Sequence, residues 1–114
     1  MNLLKQLDQF SFHQTLAEIP GTALVIFTGP ACSACRRLKA VLEGSGKLFA
    51  DLHLFEVDAG DNLALTREFE VFHLPAMFLF RDGEYHCELQ SEAQPQRLRA
   101  ALDAALAAPG QEAP

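Results

Sequence analysis

The 114-residue chain has no tryptophan, three cysteines and no apolar run long enough to span a bilayer. A membrane-spanning helix needs about 20 consecutive apolar residues, so we expect no insertion into a membrane. Disulfide frameworks belong mainly to small secreted chains, usually with an even number of cysteines. An odd count of three therefore does not indicate a disulfide scaffold. The apolar residues, 49% of the chain, are sufficient to form a core without one.

Basic residues are also scarce. Lys and Arg number 9 against 15 Asp and Glu, which gives a net charge of −6. This charge repels phosphate backbones, so we expect no nucleic-acid partner. The first residues, MNLLKQLDQFSF, lack the basic n-region and the long apolar h-region of a secretory signal. We therefore expect a cytoplasmic protein, and we expect it to be a monomer.

The length and the apolar pattern together predict one α/β domain over residues 1–108, followed by a flexible tail, PGQEAP, at 109–114. The run ALVIF is continuous and apolar, as in a strand covered on both faces. Asp82-Gly83 between two β-type runs predicts an antiparallel hairpin. We expect a mixed sheet of four to five strands flanked by about four helices. The predicted strands are 23–27, 52–58, 76–80 and 84–89, and the predicted helices lie near 11–18, 33–43, 63–70 and 95–108.

Cys32 and Cys35 have Cys-x-x-Cys spacing at the start of a predicted helix. Unpaired N–H groups and the positive end of the helix dipole favour a thiolate there, so we expect the pKa of Cys32 to lie below the free value of about 8.5. Cys35 lies one turn further into the helix, where it is shielded. The arrangement indicates a nucleophile, Cys32, and a resolving thiol, Cys35, that exchange disulfides through a mixed disulfide.

Two other interpretations of this pair stay open. The first is half of a zinc site, which requires two more ligands. His86-Cys87 is the only candidate for these, and adjacent residues on a strand point to opposite faces, so we expect no metal site. The second is the packing of two small thiols in a core.

The segment 24-LVIFTGPACSACRRLKAVLE-43 resembles the active-site region of the thioredoxin family, in which a strand and a short loop precede a Cys-x-x-Cys that opens a helix. A second segment, 71-VFHLPAMFLFRDGEYH-86, is similar to the part of the family in which a cis-proline precedes the hairpin. The resemblance implies a thioredoxin fold. It also implies a cis Leu74–Pro75 bond and a substrate-binding surface that includes Pro75, the backbone of Leu74, and Ala31 beside the first cysteine.

The sequence departs from the family pattern around the site. Thr28 and Ala31 stand where the family usually has tryptophans, and Ser33-Ala34 replaces the usual Gly-Pro between the cysteines. The active site, C-S-A-C, is therefore atypical, and its reduction potential does not follow from the fold. Ile26 replaces the buried Asp that is thought to take the proton of the resolving thiol.

Glu56 is our candidate for a group that replaces this Asp. It lies mid-strand in LHLFEVD, at a position where the family usually has a lysine. A carboxylate is unusual in a strand covered on both faces, and burial would raise its pKa, which suits an acid in proton transfer. The alternative is a glutamate in a salt bridge at a strand end.

These features predict a thiol-disulfide oxidoreductase that reduces or exchanges disulfides in partner proteins without a bound cofactor. The resemblance implies that its electrons come from an NADPH-dependent flavoprotein reductase. The competing hypothesis is a binding or adaptor module with the same fold, whose thiols are vestigial or regulatory. Turnover of a protein disulfide distinguishes the two.

Overall fold

The computed structural model describes residues 3–114, so Met1 and Asn2, which the predicted domain 1–108 includes, lie outside the described residues. The elements follow the predicted order, with one two-residue strand added at the start. In chain order they are β1 (Lys5–Gln6), α1 (Phe12–Ala17), β2 (Thr22–Thr28), α2 (Ser33–Gly44), β3 (Leu52–Asp58), α3 (Leu63–Glu68), β4 (Ala76–Arg81), β5 (Glu84–Leu89) and α4 (Pro95–Ala107).

The strands form one mixed sheet in the order β1-β3-β2-β4-β5. β1, β3 and β2 are parallel, whereas β4 runs antiparallel to β2, and β5 runs antiparallel to β4. Because of these directions, the carboxyl ends of β2 and β3 and the amino end of β4 meet at one edge of the sheet. The predicted thioredoxin fold is confirmed, with five strands and four helices in residues 3–114.

The central strand, β2, is buried from Ala23 onwards. Ala23, Val25 and Phe27 belong to the apolar core on the face of the sheet that packs against α1 and α3. Leu24 and Ile26 belong to the core on the other face, against α2 and α4. Both faces of this strand are covered, which explains why its apolar run shows no alternation.

The β4–β5 hairpin turns at Asp82 and Gly83, whose φ angles are 50° and 85°. These left-handed values are what a two-residue Asp-Gly hairpin turn requires, so the predicted hairpin is confirmed. The turn is joined to the loop before β2, because Gly21 N donates to Asp82 Oδ1 at 2.8 Å. A Cβ at Gly83 would overlap the carbonyl oxygen of Ala17 at the end of α1.

A β-bulge interrupts β5 at His86. Leu79 pairs with Cys87 and Phe80 pairs with Tyr85, which leaves His86 without an opposite residue on β4. The His86 carbonyl oxygen accepts a hydrogen bond from Gln111 N at 2.6 Å. This bond joins the exposed residues 109–114 to the sheet, and the flexibility predicted for them stays a prediction.

In residues 3–114, no helix is long and apolar enough to cross a membrane.

Candidate active site

Cys32 and Cys35 lie at the sheet edge where β2 ends and α2 begins. Cys32 is the N-cap residue of α2, and its Sγ accepts a hydrogen bond from Cys35 N at 3.1 Å. The two residues form a disulfide, with their Cα atoms 5.2 Å apart. The molecule is thus the oxidised form of a dithiol couple. After reduction, the same N–H and the helix N-terminus would stabilise negative charge on Cys32 Sγ.

The two sulfurs differ in exposure. Cys32 is half-buried, whereas only 2% of the Cys35 surface is accessible. The preceding residue, Ala31, is exposed and has a left-handed φ of 56°, which turns the chain into α2. A disulfide that approaches from solvent therefore meets Cys32 and Ala31 before it meets Cys35.

Pro75 lies beside this loop. The Leu74–Pro75 peptide bond is cis, and the next residue, Ala76, pairs with Phe27 near the end of β2. Leu74 reaches the loop before the cysteines, since a Cβ built on Gly29 would lie 2.9 Å from Leu74 Cδ1. The structure thus brings Leu74 and Pro75 to the same sheet edge as the disulfide.

Glu56 and Thr28 are buried, and they form a polar cluster with the partly exposed Lys39 and the exposed Gln6. Thr28 Oγ1 donates to Glu56 Oε2 at 2.6 Å, and Gln6 Nε2 donates to Glu56 Oε1 at 2.6 Å. Lys39 Nζ lies 3.0 Å from Glu56 Oε2. Lys39 follows Cys35 by four residues on α2, so both project from the same side of that helix. Lys39, and with it the cluster, is therefore about one helical turn from the resolving cysteine along the surface of α2.

The prediction that the pKa of Glu56 lies above its ordinary value is wrong. Burial does raise it and is the largest single effect, but hydrogen bonds from Thr28, Lys39 and Gln6, together with the charge of Lys39, lower it by more. The pKa of this carboxyl group lies below its ordinary value, and Glu56 is an ionised carboxylate at neutral pH. It is a potential proton acceptor and not a protonated acid.

A family model described as Thioredoxin matches residues 3–104 of this chain. The chain belongs to the thioredoxin family. Membership of this family and the Cys32–Cys35 pair support thiol-disulfide oxidoreductase chemistry in general.

Proteins similar in sequence include thioredoxins and protein disulfide-isomerases. The chain is 29% identical to chloroplastic thioredoxin X of Arabidopsis thaliana over 82 residues, which are 71% of this chain and 45% of that protein. It is 35% identical to protein disulfide-isomerase A3 of Gallus gallus over 80 residues, 69% of this chain and 16% of that protein. The chain thus spans less than half the length of these two relatives.

Among solved structures, thioredoxin from Trypanosoma brucei brucei is similar in fold. The two superimpose with a TM-score of 0.76 at 19% sequence identity, covering 94% of each chain. At this identity the likeness concerns the fold alone. It agrees with the strand order and helix placement described above.

Compared with the family pattern, this thioredoxin-family chain carries its carboxylate and its lysine on different elements. Its carboxylate is on β3, at the position where the family usually has a lysine, and its lysine, Lys39, is on α2. The sequence reasoning identified Glu56 but missed Lys39, Gln6 and the contact to Thr28. The position of Lys39, one turn after Cys35, was a signal in the sequence that could have identified it.

The bulge at His86 corrects one premise about zinc. Because of it, the adjacent His86 and Cys87 both face α4: His86 Nε2 lies 2.8 Å from the Ala105 carbonyl oxygen, and Cys87 belongs to the core that includes Leu98. Even so, residues 3–114 contain no group of three or more His, Cys, Asp or Glu side chains placed to hold a metal ion.

Proposed function

We propose that this protein reduces or exchanges disulfides in partner proteins, with Cys32 as the attacking thiol and Cys35 as the resolving thiol. The observation that carries the proposal is the Cys35 N–H donated to Cys32 Sγ at the N-terminus of α2, on a cysteine that solvent reaches. The burial of Cys35 supports this order of attack. The surface at Ala31, Leu74 and Pro75 is proposed to contact the substrate chain.

The cycle starts from the reduced pair. The Cys32 thiolate attacks one sulfur of a substrate disulfide, that S–S bond breaks, and the departing thiolate takes up a proton. Cys35 then loses its proton and attacks the Cys32 sulfur of the mixed disulfide. The second substrate sulfur leaves as a thiol, and the Cys32–Cys35 disulfide forms. Two electrons and two protons pass to the substrate, and a dithiol donor must return them before the next cycle.

Glu56 is proposed to accept the Cys35 proton in the second step. Because the carboxylate is ionised at neutral pH, it is able to accept a proton. Its ion pair with Lys39, on the same side of α2 as Cys35, supports a position near the departing proton. In this proposal Glu56 acts as a base, whereas burial alone would have raised its pKa and favoured a protonated acid.

The proposed partners are disulfide-containing proteins and a reductase that restores the dithiol. The family supports an NADPH-dependent flavoprotein reductase as the donor, and one relative, in Arabidopsis thaliana, is named NADPH-dependent thioredoxin reductase 3. No bound cofactor enters the proposed cycle. A third cysteine that stays unpaired, Cys87, is in keeping with a reducing compartment, and we propose the cytoplasm.

Turnover of insulin disulfides with dithiothreitol as donor tests this function. We expect the wild-type chain to accelerate the reaction, C32S to be inactive, and C35S to accumulate a mixed disulfide visible by non-reducing electrophoresis. A wild-type rate equal to background and to C32S would contradict the proposal and would favour the binding module instead.

The direction of exchange is tested by the reduction potential of the Cys32–Cys35 couple. Equilibration with glutathione buffers, read out by mass spectrometry of alkylated protein, gives that potential. The proposed reductant requires a value well below that of the cytosolic glutathione pool, about −220 to −320 mV by different methods. A value well above it would identify an oxidant or isomerase.

A further inference from the structure

Phe72 is an exposed aromatic residue at the edge of the candidate active site. Solvent reaches 83% of the Phe72 surface, whereas most phenylalanines of the chain lie in the core. Among residues 3–114, five large apolar side chains are exposed, and two of them, Phe72 and Leu74, lie within three residues of Pro75. An exposed apolar pair at such a place requires an explanation that core packing does not supply.

The segment that carries Phe72 is held in place by its neighbours. Glu70 has a left-handed φ of 54° that ends α3, and Val71 N donates to the Thr66 carbonyl oxygen at 3.0 Å. Val71 and Ala76 both pack against the core on the α1 and α3 face. Phe72 is therefore presented to solvent from an anchored loop, an arrangement that lowers the entropic cost of binding.

Phe72 also lines a cavity beside the cysteine pair. The cavity has a volume of about 490 Å³, within the range of about 300–1,000 Å³ typical of ligand pockets. Its lining includes Ala34, which lies between the two cysteines, and also Arg37, Pro75 and Met77. Phe72 thus shares one cavity with Ala34, between the two cysteines, and with Pro75 of the cis peptide bond.

We infer that Phe72 determines substrate specificity by binding a large apolar side chain of the partner segment that carries the attacked cysteine. The occupant is an extended stretch of a disulfide-bonded protein with an aromatic or branched aliphatic residue within two positions of that cysteine. Removing two apolar surfaces from water is the attraction that selects it. The inference rests on the proposed function and adds a substrate preference to it.

Peptides whose single cysteine is blocked as a mixed disulfide with 5-thio-2-nitrobenzoate test the inference. Each peptide of one set carries a single Phe, at one of the two positions before or the two positions after the cysteine. A reference peptide has Ser at all four of these positions. Attack by reduced Cys32 on the peptide sulfur releases the coloured thiol, so stopped-flow absorbance gives the second-order rate constant. Ellman's reagent has the same leaving group and no peptide, and it serves as the small-molecule substrate.

For the wild-type protein we expect at least one Phe peptide to react about tenfold faster than the Ser peptide, and we expect F72A to remove that preference. F10A is the matched control, since Phe10 is also exposed but is not among the residues that line the cavity, and it should keep the preference. Circular dichroism should show all three proteins folded.

Two results would overturn the inference alone: no preference in the wild-type protein, or a preference that F72A retains. A wild-type protein that reacts with Ellman's reagent no faster than C32S would instead overturn the proposed function and this inference with it. The small-molecule reaction therefore separates the two failures.

Discussion

Lys39 Nζ lies 3.0 Å from Glu56 Oε2, and this ion pair joins the helix that carries the cysteines to the neighbouring strand β3. The Glu56 side chain is almost fully buried, whereas 37% of the Lys39 side-chain surface is accessible to solvent. The lysine compensates the buried charge from a partly solvated position, and Thr28 and Gln6 each donate one further hydrogen bond to the carboxylate. A buried carboxylate that is paired and hydrogen-bonded in this way stays ionised.

The first prediction concerns resolution of the mixed disulfide. E56Q removes the proposed proton acceptor, so attack by Cys35 should slow by about tenfold or more at pH 7, and its pH dependence should change. The measurement is the release of peptide thiol from the Cys32 mixed disulfide over a range of pH. E43Q is the control, because Glu43 is a carboxylate on α2, the helix that carries Cys35, and it accepts a hydrogen bond from Leu4 N. An unchanged pH profile in E56Q would remove Glu56 from the mechanism.

The second prediction concerns stability in acid. The folded-state pKa of Glu56 lies below its unfolded value, so its contribution to stability is present above about pH 4.5 and is lost as the pH falls through the folded pKa. T28V removes one hydrogen bond to the carboxylate and should lower the free energy of unfolding by about 1 kcal/mol at pH 7. It should also move the acid loss to higher pH.

Urea unfolding of wild type, T28V, E56Q and the double variant from pH 3 to 7 measures this. The effect of T28V should shrink in the E56Q background, since the two residues share one hydrogen bond. Equal effects in both backgrounds would show that Thr28 contributes independently of Glu56.

The third prediction concerns the hairpin. G83A places a Cβ against the Ala17 carbonyl oxygen and forces alanine into a φ of 85°, so the free energy of unfolding should fall by about 2 kcal/mol or more. G44A is a suitable control, because a Cβ at Gly44 meets nothing within 4 Å. Thermal unfolding should separate the two variants by several degrees, and a stability of G83A equal to that of G44A would contradict the described packing.

The fourth prediction concerns Cys87. Burial raises the pKa of its thiol, and its surface is 6% exposed, so it should react slowly with Ellman's reagent in the folded protein. The oxidised protein should release almost no coloured thiol until guanidinium is added, and then about one equivalent. Fast reaction of one thiol in the folded oxidised protein would show that this part of the core opens readily.

The parts of the fold that depend on local pattern could be predicted from the sequence. The strand ALVIF, the Asp82-Gly83 hairpin and the helix after Cys32 each have their signal within a few residues. The residues of the two-residue strand β1 stay ambiguous between strand and helix in the sequence, since so short a strand has no periodicity and is defined by its pairing with β3.

The two cysteines of the site could be predicted from the sequence, whereas the ion pair and the hydrogen bonds of Glu56 could not. The partners of Glu56 come from β1, β2 and α2, between 17 and 50 residues away in the chain. Without them, burial alone gives the wrong sign for the pKa shift. Phe72 was missed for a related reason: an apolar residue near a proline does not reveal from sequence whether it faces the core or the solvent.

The bulge at His86 has a consequence for how the molecules behave at high concentration. A long, flat outer strand is a template on which further copies polymerise. In residues 3–114, the edge strand β1 has only two residues. The other edge strand, β5, is interrupted by the bulge at His86, whose carbonyl oxygen accepts a hydrogen bond from Gln111 N. Neither rim of the sheet offers an uninterrupted ladder to a second copy, which favours a protein that resists fibril growth.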